Sequence, residues 1–316
     1  MAKNLVIFAH GFLGFKEKFF IKYWHNTVEY LSSKLDKELV MVKATEVDPT
    51  GGTEKRAKEL AEQINRFLDS DDQIGKIHII AHSMGGLDAR RLVTQDDTIY
   101  KTLKKPIATV TTISTPHRGS PMADFGYDLL MPSQKSPSLS GPSQQEIKEL
   151  SAILKGTPID RIEEAMGWLQ DNIGYFKKLF SLNWDGLKEL TTWGVPKFTD
   201  SANVRYFSYG GEAWPFGIGG DYLPLPSVPG WLLIYCKEKE NDGSVSLQSS
   251  PWGAYKGVIP ADHAELVGFR SLLDKISHPF VRNFKYKKFY LEVVKDLCTK
   301  GEPGNWADIK KRIGGR

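Results

Sequence analysis

The sequence predicts an α/β fold: a mostly parallel central sheet flanked by helices, with one helical insertion. Three observations carry this expectation. Apolar strand-like runs alternate with amphipathic helical ones as far as Ile113, the pattern of parallel strands joined by crossover helices. A strand, a tight turn and a helix follow one another around Ser83. The chain has 316 residues, 41% hydrophobic, 25% charged and 11% aromatic, which suits one large core better than two equal domains.

Taken in order, Val6 to Phe8 reads as a buried strand. Glu54 to Leu68 carries Leu60, Ile64, Phe67 and Leu68 on one face and reads as an amphipathic helix. It delivers the chain to a second strand, Lys76 to Ile80, and a helix follows from Gly85 to Val93. The β-branched run Ile107 to Ile113 is a further strand, ending in the turn-rich segment Ser114 to Ser120. Pro, Ser and Gln then dominate from Pro121 to Gln145, and a helical region runs on to Trp193. This change of character marks a cap insertion over residues 121–200 within a single domain spanning 1–316. Its longest helix carries Ile159, Ile162, Met166, Leu169, Ile173, Phe176 and Phe180 as one apolar stripe. The stripe fits either a helix packed permanently on the core or a mobile lid over an apolar site. Strand character returns at Val204 to Tyr209 and, more weakly, at Trp231 to Cys236, with a Gly- and Pro-rich stretch between. Gly257 to Ile259 is strand-like, Tyr286 to Leu297 is an amphipathic helix, and the remainder reads as a polar tail.

Composition removes several function classes. A net charge of +4 with no basic run interleaved with aromatics predicts no nucleic-acid partner. Cys236 and Cys298 form neither a metal pair nor a disulfide framework. No apolar run reaches about 18 residues, so no spanning helix is expected. The first apolar segment is too short for a signal-peptide core, which predicts a cytoplasmic protein or the processed form of a secreted one.

The chemistry centres on Ile79-Ile-Ala-His-Ser-Met-Gly-Gly86. A serine hydroxyl is a weak nucleophile and must be presented on a sharp turn toward a base, with small residues on either side where backbone segments crowd. Ala81 and Gly85 occupy those positions, Ala81 in place of the usual glycine, and Gly86 allows close helix packing. Ser83 is therefore the candidate nucleophile. Ala9-His-Gly-Phe-Leu-Gly14 follows the first strand, where a loop supplies one backbone N–H to a tetrahedral oxyanion. Phe12 and Met84 are the two expected donors. The order serine, acid, histidine points to His263, in a loop between a strand and an apolar helical run, over His278, which precedes a proline. Asp242, in Asn-Asp-Gly, is the leading acid, with Asp221 and Asp262 as rivals; Asp262 is the sequence neighbour of the histidine and is badly placed to reach its ring. His10 and His82 flank the site and are expected to make structural hydrogen bonds.

With these residues in view, the chain resembles the bacterial true lipases of lipase family I and the related fungal triacylglycerol lipases with an HSMGGLDxR elbow, members of the α/β-hydrolase superfamily. Lys76 to Gly86, Val110 to His117, Phe20 to Trp24, Asn241 to Ser246, Trp252-Gly253 and Asp262-His263 carry the resemblance, in the family's order. It implies a lipase or carboxylic ester hydrolase with Ser83 as nucleophile, His263 as base, Asp242 as orienting acid, and backbone donors at Phe12 and Met84. It also implies a structural calcium near the histidine, with Glu265 and Asp221 as candidate ligands. However, Phe269 and Arg270 stand where the two bacterial groups carry a glutamine and an aspartate. Calcium takes six to eight oxygens and an arginine in its shell is repulsive, which disfavours a structural calcium without excluding it; the triad chemistry itself is expected to need no cofactor. The expected partners are an ester or lipid substrate and, transiently, a lipid interface. A carboxylesterase, thioesterase or polyester depolymerase would share the same elbow. A catalytically silent hydrolase fold used for binding is the alternative from another class.

Overall fold

Alternation along the first strand sorts the molecule into two layers. In β1 (Lys3–Ala9) Leu5 and Ile7 point to one face of the sheet, Val6 and Phe8 to the other, and all four are fully buried. The computed structural model describes residues 2–12, 23–24, 26–94, 98–131, 143–154, 167, 184–215, 227–269 and 284–314. Among these, six strands pair in parallel in the order β2-β1-β3-β4-β5-β6, with β2 Val40–Ala44, β3 Ile74–His82, β4 Ile107–Ile113, β5 Arg205–Glu212 and β6 Ala254–Pro260. The order reverses on either side of β1, the arrangement that gathers loops at the carboxyl ends of the strands.

Helices cover both faces. α2 (Thr53–Ser70) packs Ala57, Leu60, Ala61 and Ile64 with Leu5, Ile7, Ile77, Ile79 and Val110, and α3 (Met84–Leu92) lies beside it. On the opposite face, α1 (Thr27–Lys34) and the C-terminal helix Tyr286–Lys300 bring Leu31, Phe289, Tyr290, Val293 and Val294 against Val6, Phe8, Ile80 and Tyr209. Each such side chain withdrawn from water stabilises the fold by about 1.5–3 kcal/mol.

Three readings of the sequence change. Trp231 to Cys236 is not a strand but the middle of a helix, Val228–Glu238, eight of whose residues are buried in succession. A short apolar run buried on all sides carries no period, so strand and helix look alike in sequence. Trp231 and Tyr235, one turn apart, stack at 4.6 Å, and the Trp231 indole donates to the Ala213 carbonyl. The Pro-, Ser- and Gln-rich opening of the insertion contains a helix, Pro121–Leu130, started by proline in its first turn and by the Ser120 hydroxyl accepting from the Met122 N–H. The polar tail contains the helix Trp306–Arg312, whose Ile309 is fully buried. β2 and α1, only five and eight residues long, were not foreseen. Other helices of the insertion are Gln144–Ile153, with a capping box between Ser143 and Glu146, and the short Asp185–Glu189. The striped segment from Ile159 to Phe180 lies outside the described residues.

Candidate active site

The loops that follow β1, β3, β4 and β6, together with the loop from Lys239 to Gly253, supply the site. Ser83 sits between β3 and α3 at φ 54°, ψ −133°, a combination that residues with a side chain enter only under strain. Its N–H donates to the Ile113 carbonyl at 3.0 Å, which ties the turn to the end of β4. Crowding explains the glycine beyond it: a Cβ on Gly85 would lie 2.6 Å from the His10 carbonyl oxygen. A Cβ on Gly11 would lie 2.6 Å from the Ser83 Cβ, so the loop after β1 runs directly against the serine.

The same contacts bring the segments that carry the two expected oxyanion donors side by side. Met84 is the first residue of α3, where N–H groups lack acceptors within the helix. The Phe12 ring packs on the cluster of Met84, Leu87, Ala123 and Leu190. A residue that the sequence reading missed governs this loop. Arg56 is fully buried on α2, with Nε donating to Asp88 Oδ2 at 2.9 Å, Nη1 to the Asp48 carbonyl, and Nη2 to the carbonyls of His10 at 2.9 Å and Gly11 at 3.3 Å. The Gly11 carbonyl and the Phe12 N–H share one trans peptide and point in opposite directions, so holding the first aims the second. Every guanidinium nitrogen is engaged, the condition under which a buried ion pair is tolerable. The signal was present: an arginine one turn from Leu60 and two from Ile64 stands on the buried face of the helix.

His263 and Asp242 meet. The His263 Nδ1 donates to Asp242 Oδ2 at 2.7 Å, and the His263 N–H donates to the Asp242 carbonyl at 3.0 Å. Asp242 is fully buried; its Oδ1 accepts the N–H groups of Ser244 at 3.0 Å and Val245 at 2.8 Å, and its Oδ2 also accepts from the Ser114 hydroxyl. With Nδ1–H directed at the carboxylate, Nε2 of a neutral His263 carries the lone pair. The His263 ring lies 4.4 Å from that of His82, the residue before Ser83. The rival Asp262 caps the turn after the histidine, its Oδ1 accepting the N–H groups of Ala264 and Glu265, and burial pushes its carboxyl up to about 7. Asp221 and His278 lie outside the described residues.

His10 and His82 make the structural bonds expected of them. His10 Nδ1 donates to the Gly11 carbonyl and Nε2 accepts the Val47 N–H, which fixes its tautomer; burial, assisted by Arg56, lowers its pKa to about 4. His82 Nδ1 and the Tyr23 hydroxyl are hydrogen-bonded at 2.6 Å, and burial, then the neighbouring His263, keeps its pKa well below the usual imidazole range. Both rings are therefore neutral at pH 7. As for calcium, Glu265 Oε1 accepts the Phe284 N–H at 2.8 Å, and the Phe269 side chain offers no ligand atom. Among the described residues, no group of three or more His, Cys, Asp or Glu side chains is gathered to hold a metal ion.

The chain is similar to known esterases and lipases. The family described as "Putative serine esterase (DUF676)" matches residues 1–130. Triacylglycerol lipase 2 of Saccharomyces cerevisiae is 30% identical over 293 residues, covering 89% of this chain and 74% of that protein. A triacylglycerol lipase of Pseudarthrobacter phenanthrenivorans is 32% identical over 127 residues, 40% of this chain and 37% of that one. The Staphylococcus hyicus lipase superposes with a TM-score of 0.59 at 18% identity, over 99% of this chain and 97% of that chain. The metagenomic carboxyl esterase MGS0156 does so with a TM-score of 0.59 at 13% identity, over 95% and 77%. Together with the α/β-hydrolase fold, the extent of the yeast match shows that this chain belongs to the triacylglycerol lipase family, as a serine ester hydrolase.

Proposed function

We propose that the chain hydrolyses acylglycerol-type esters by two-step acyl transfer, with Ser83, His263 and Asp242 as the triad. The observation that carries this reading is the 2.7 Å bond from His263 Nδ1 to Asp242 Oδ2, with the His263 ring beside the strained Ser83 turn. Ser83 Oγ attacks the carbonyl carbon as His263 Nε2 takes its proton; the alcohol leaves with that proton, and water repeats the route to release the acid. Phe12 and Met84 donate their N–H groups to the oxyanion. A fluorophosphonate probe should label one serine, and peptide mapping should find the adduct on Ser83; adduct elsewhere overturns the assignment. A rate profile over ester chain length then separates a lipase from a short-chain esterase. The yeast relative, alike along nearly the whole chain, supports kinship with lipases carrying the HSMGGLDxR elbow, bacterial and fungal.

The site is further proposed to work without calcium, since Glu265 is engaged by the Phe284 N–H and position 270 is an arginine. A chelator should then move the melting temperature by less than about 2 °C. A large drop restored by calcium would show that Asp221, Glu265 and carbonyls suffice.

Residues 121–200 are proposed to act as a cap that meets a lipid interface. Exposed Met122 and Trp193, the latter against Tyr127, put apolar surface on this part, and the stripe from Ile159 to Phe180 adds more by sequence. Activity per molecule should rise as a water-insoluble ester passes its solubility limit, and amide exchange in the cap should quicken in detergent. If neither measurement responds, the cap is a fixed part of the core. Among the described residues, no helix is long and apolar enough to cross a membrane.

A further inference from the structure

We infer that Ser114, outside the triad, is a positioning residue that sets the charge and aim of Asp242; the inference rests on the triad reading above. Ser114 is fully buried at the end of β4, and its hydroxyl donates to Asp242 Oδ2 at 2.5 Å, the same oxygen that receives His263 Nδ1. Among the described residues the carboxylate thus accepts four hydrogen bonds, two on each oxygen, and Ser114 supplies the only one of them that comes from neither the acid loop nor the histidine.

The backbone of Ser114 is bent to make this bond. Its φ is 47°, in the left-handed region that a serine enters at a cost, while its N–H donates to the Tyr209 carbonyl at 2.9 Å and the preceding carbonyl holds the Ser83 N–H. The residue therefore links the nucleophile's turn, the neighbouring strand and the acid. Folding of the acid loop does not depend on the hydroxyl, because the rest of the segment holds that loop independently. Ser120 Oγ donates to the Ser244 carbonyl at 2.6 Å, Arg118 Nη1 to the carbonyls of Gln248 and Pro251, and Ser249 Oγ to the Gly119 carbonyl at 2.7 Å. What the hydroxyl adds acts on the carboxylate itself. A donor on Oδ2 draws charge away from the imidazole and fixes the oxygen on which the imidazole aligns.

Glycine makes the test clean, since it adopts φ 47° without strain and removes only the donor. In Ser114→Gly, kcat on a soluble ester such as p-nitrophenyl butyrate should fall roughly 10- to 100-fold, the range for losing a hydrogen bond to a charged group, with KM within about twofold. The melting temperature should be no lower than that of the parent. The uncovered carboxylate favours the imidazolium, so the acid limb of kcat/KM should move to higher pH, by about half a unit. The other titratable groups facing the pair, His82 and Asp262, stay in place. An unchanged kcat and acid limb overturn the inference. So does a loss of activity that follows a lowered melting temperature while the limb stays put, the mark of a merely structural residue. Asp242→Asn in the same series separates the two readings. If it stays active, the triad reading fails and the inference with it; if it is inactive while Ser114→Gly matches the parent, only the inference about Ser114 fails.

Discussion

Replacing Ser83 by alanine should lower ester hydrolysis by roughly a millionfold while leaving the fold intact. In the proposed mechanism the hydroxyl is the atom that attacks, and the described neighbours are engaged elsewhere: His82 is buried and bonded to Tyr23, and the Ser114 hydroxyl is bonded to Asp242. What would survive is the slow attack of water on an ester held by the binding cleft and the proposed Phe12 and Met84 N–H donors. Stability should barely change, because the bond that anchors the turn runs from the Ser83 backbone N–H to Ile113. A second substitution sharpens the expectation. At φ 54°, ψ −133°, both serine and alanine are strained, whereas glycine is not, so Ser83→Gly should be as inactive as the alanine variant yet more stable by about 1–3 kcal/mol. Native circular dichroism with persistent activity in either variant would place the nucleophile elsewhere.

The parallel sheet was readable because its strands are doubly buried. Ile107 to Ile113 is β-branched almost throughout and keeps both limits in the structure, and Lys76 to Ile80 only lengthens to Ile74–His82. Reading failed where local pattern is silent. Trp231 to Cys236 has no period to read, because neighbours on all sides bury it, and its helix is settled by contacts with Ala213 and the cap helices. β2 has one buried residue, Val42, and its pairing with β1 is decided by distant chain.

At the site, order and spacing led to the atoms that meet in His263 and Asp242, and a backbone turn could be foreseen at Ser83 because small residues surround it. The supporting residues were harder. Arg56 left a trace, a charge on an apolar helix face. Ser114 left none: a serine closing a strand is commonplace, and its φ of 47° follows from Tyr209, Ser83 and Asp242, residues far away in sequence. The rival Asp262 was separated by hydrogen-bond accounting rather than by motif, since its Oδ1 is occupied by the Ala264 and Glu265 N–H groups.

That accounting also gives the expected result for the acid. In Asp242→Asn the side-chain oxygen must stay at the Oδ1 position, because the Ser244 and Val245 N–H groups need an acceptor there. The amide NH2 is then forced into the Oδ2 position, facing Ser114 and His263. A donor opposite Nδ1 makes that nitrogen an acceptor and moves the ring proton to Nε2, the atom that has to take the serine proton. The geometry survives with the wrong tautomer, and kcat should fall by roughly 10⁴-fold, with the melting temperature changed little. His263→Ala, which removes the base altogether, should lose about 10⁵- to 10⁶-fold. Asp262→Asn keeps an oxygen for its two N–H partners and should retain most activity, as should Asp221→Asn and His278→Ala. An inactive His278→Ala beside an active His263→Ala would move the base to His278, and an active Asp242→Asn would take the acid away from this loop.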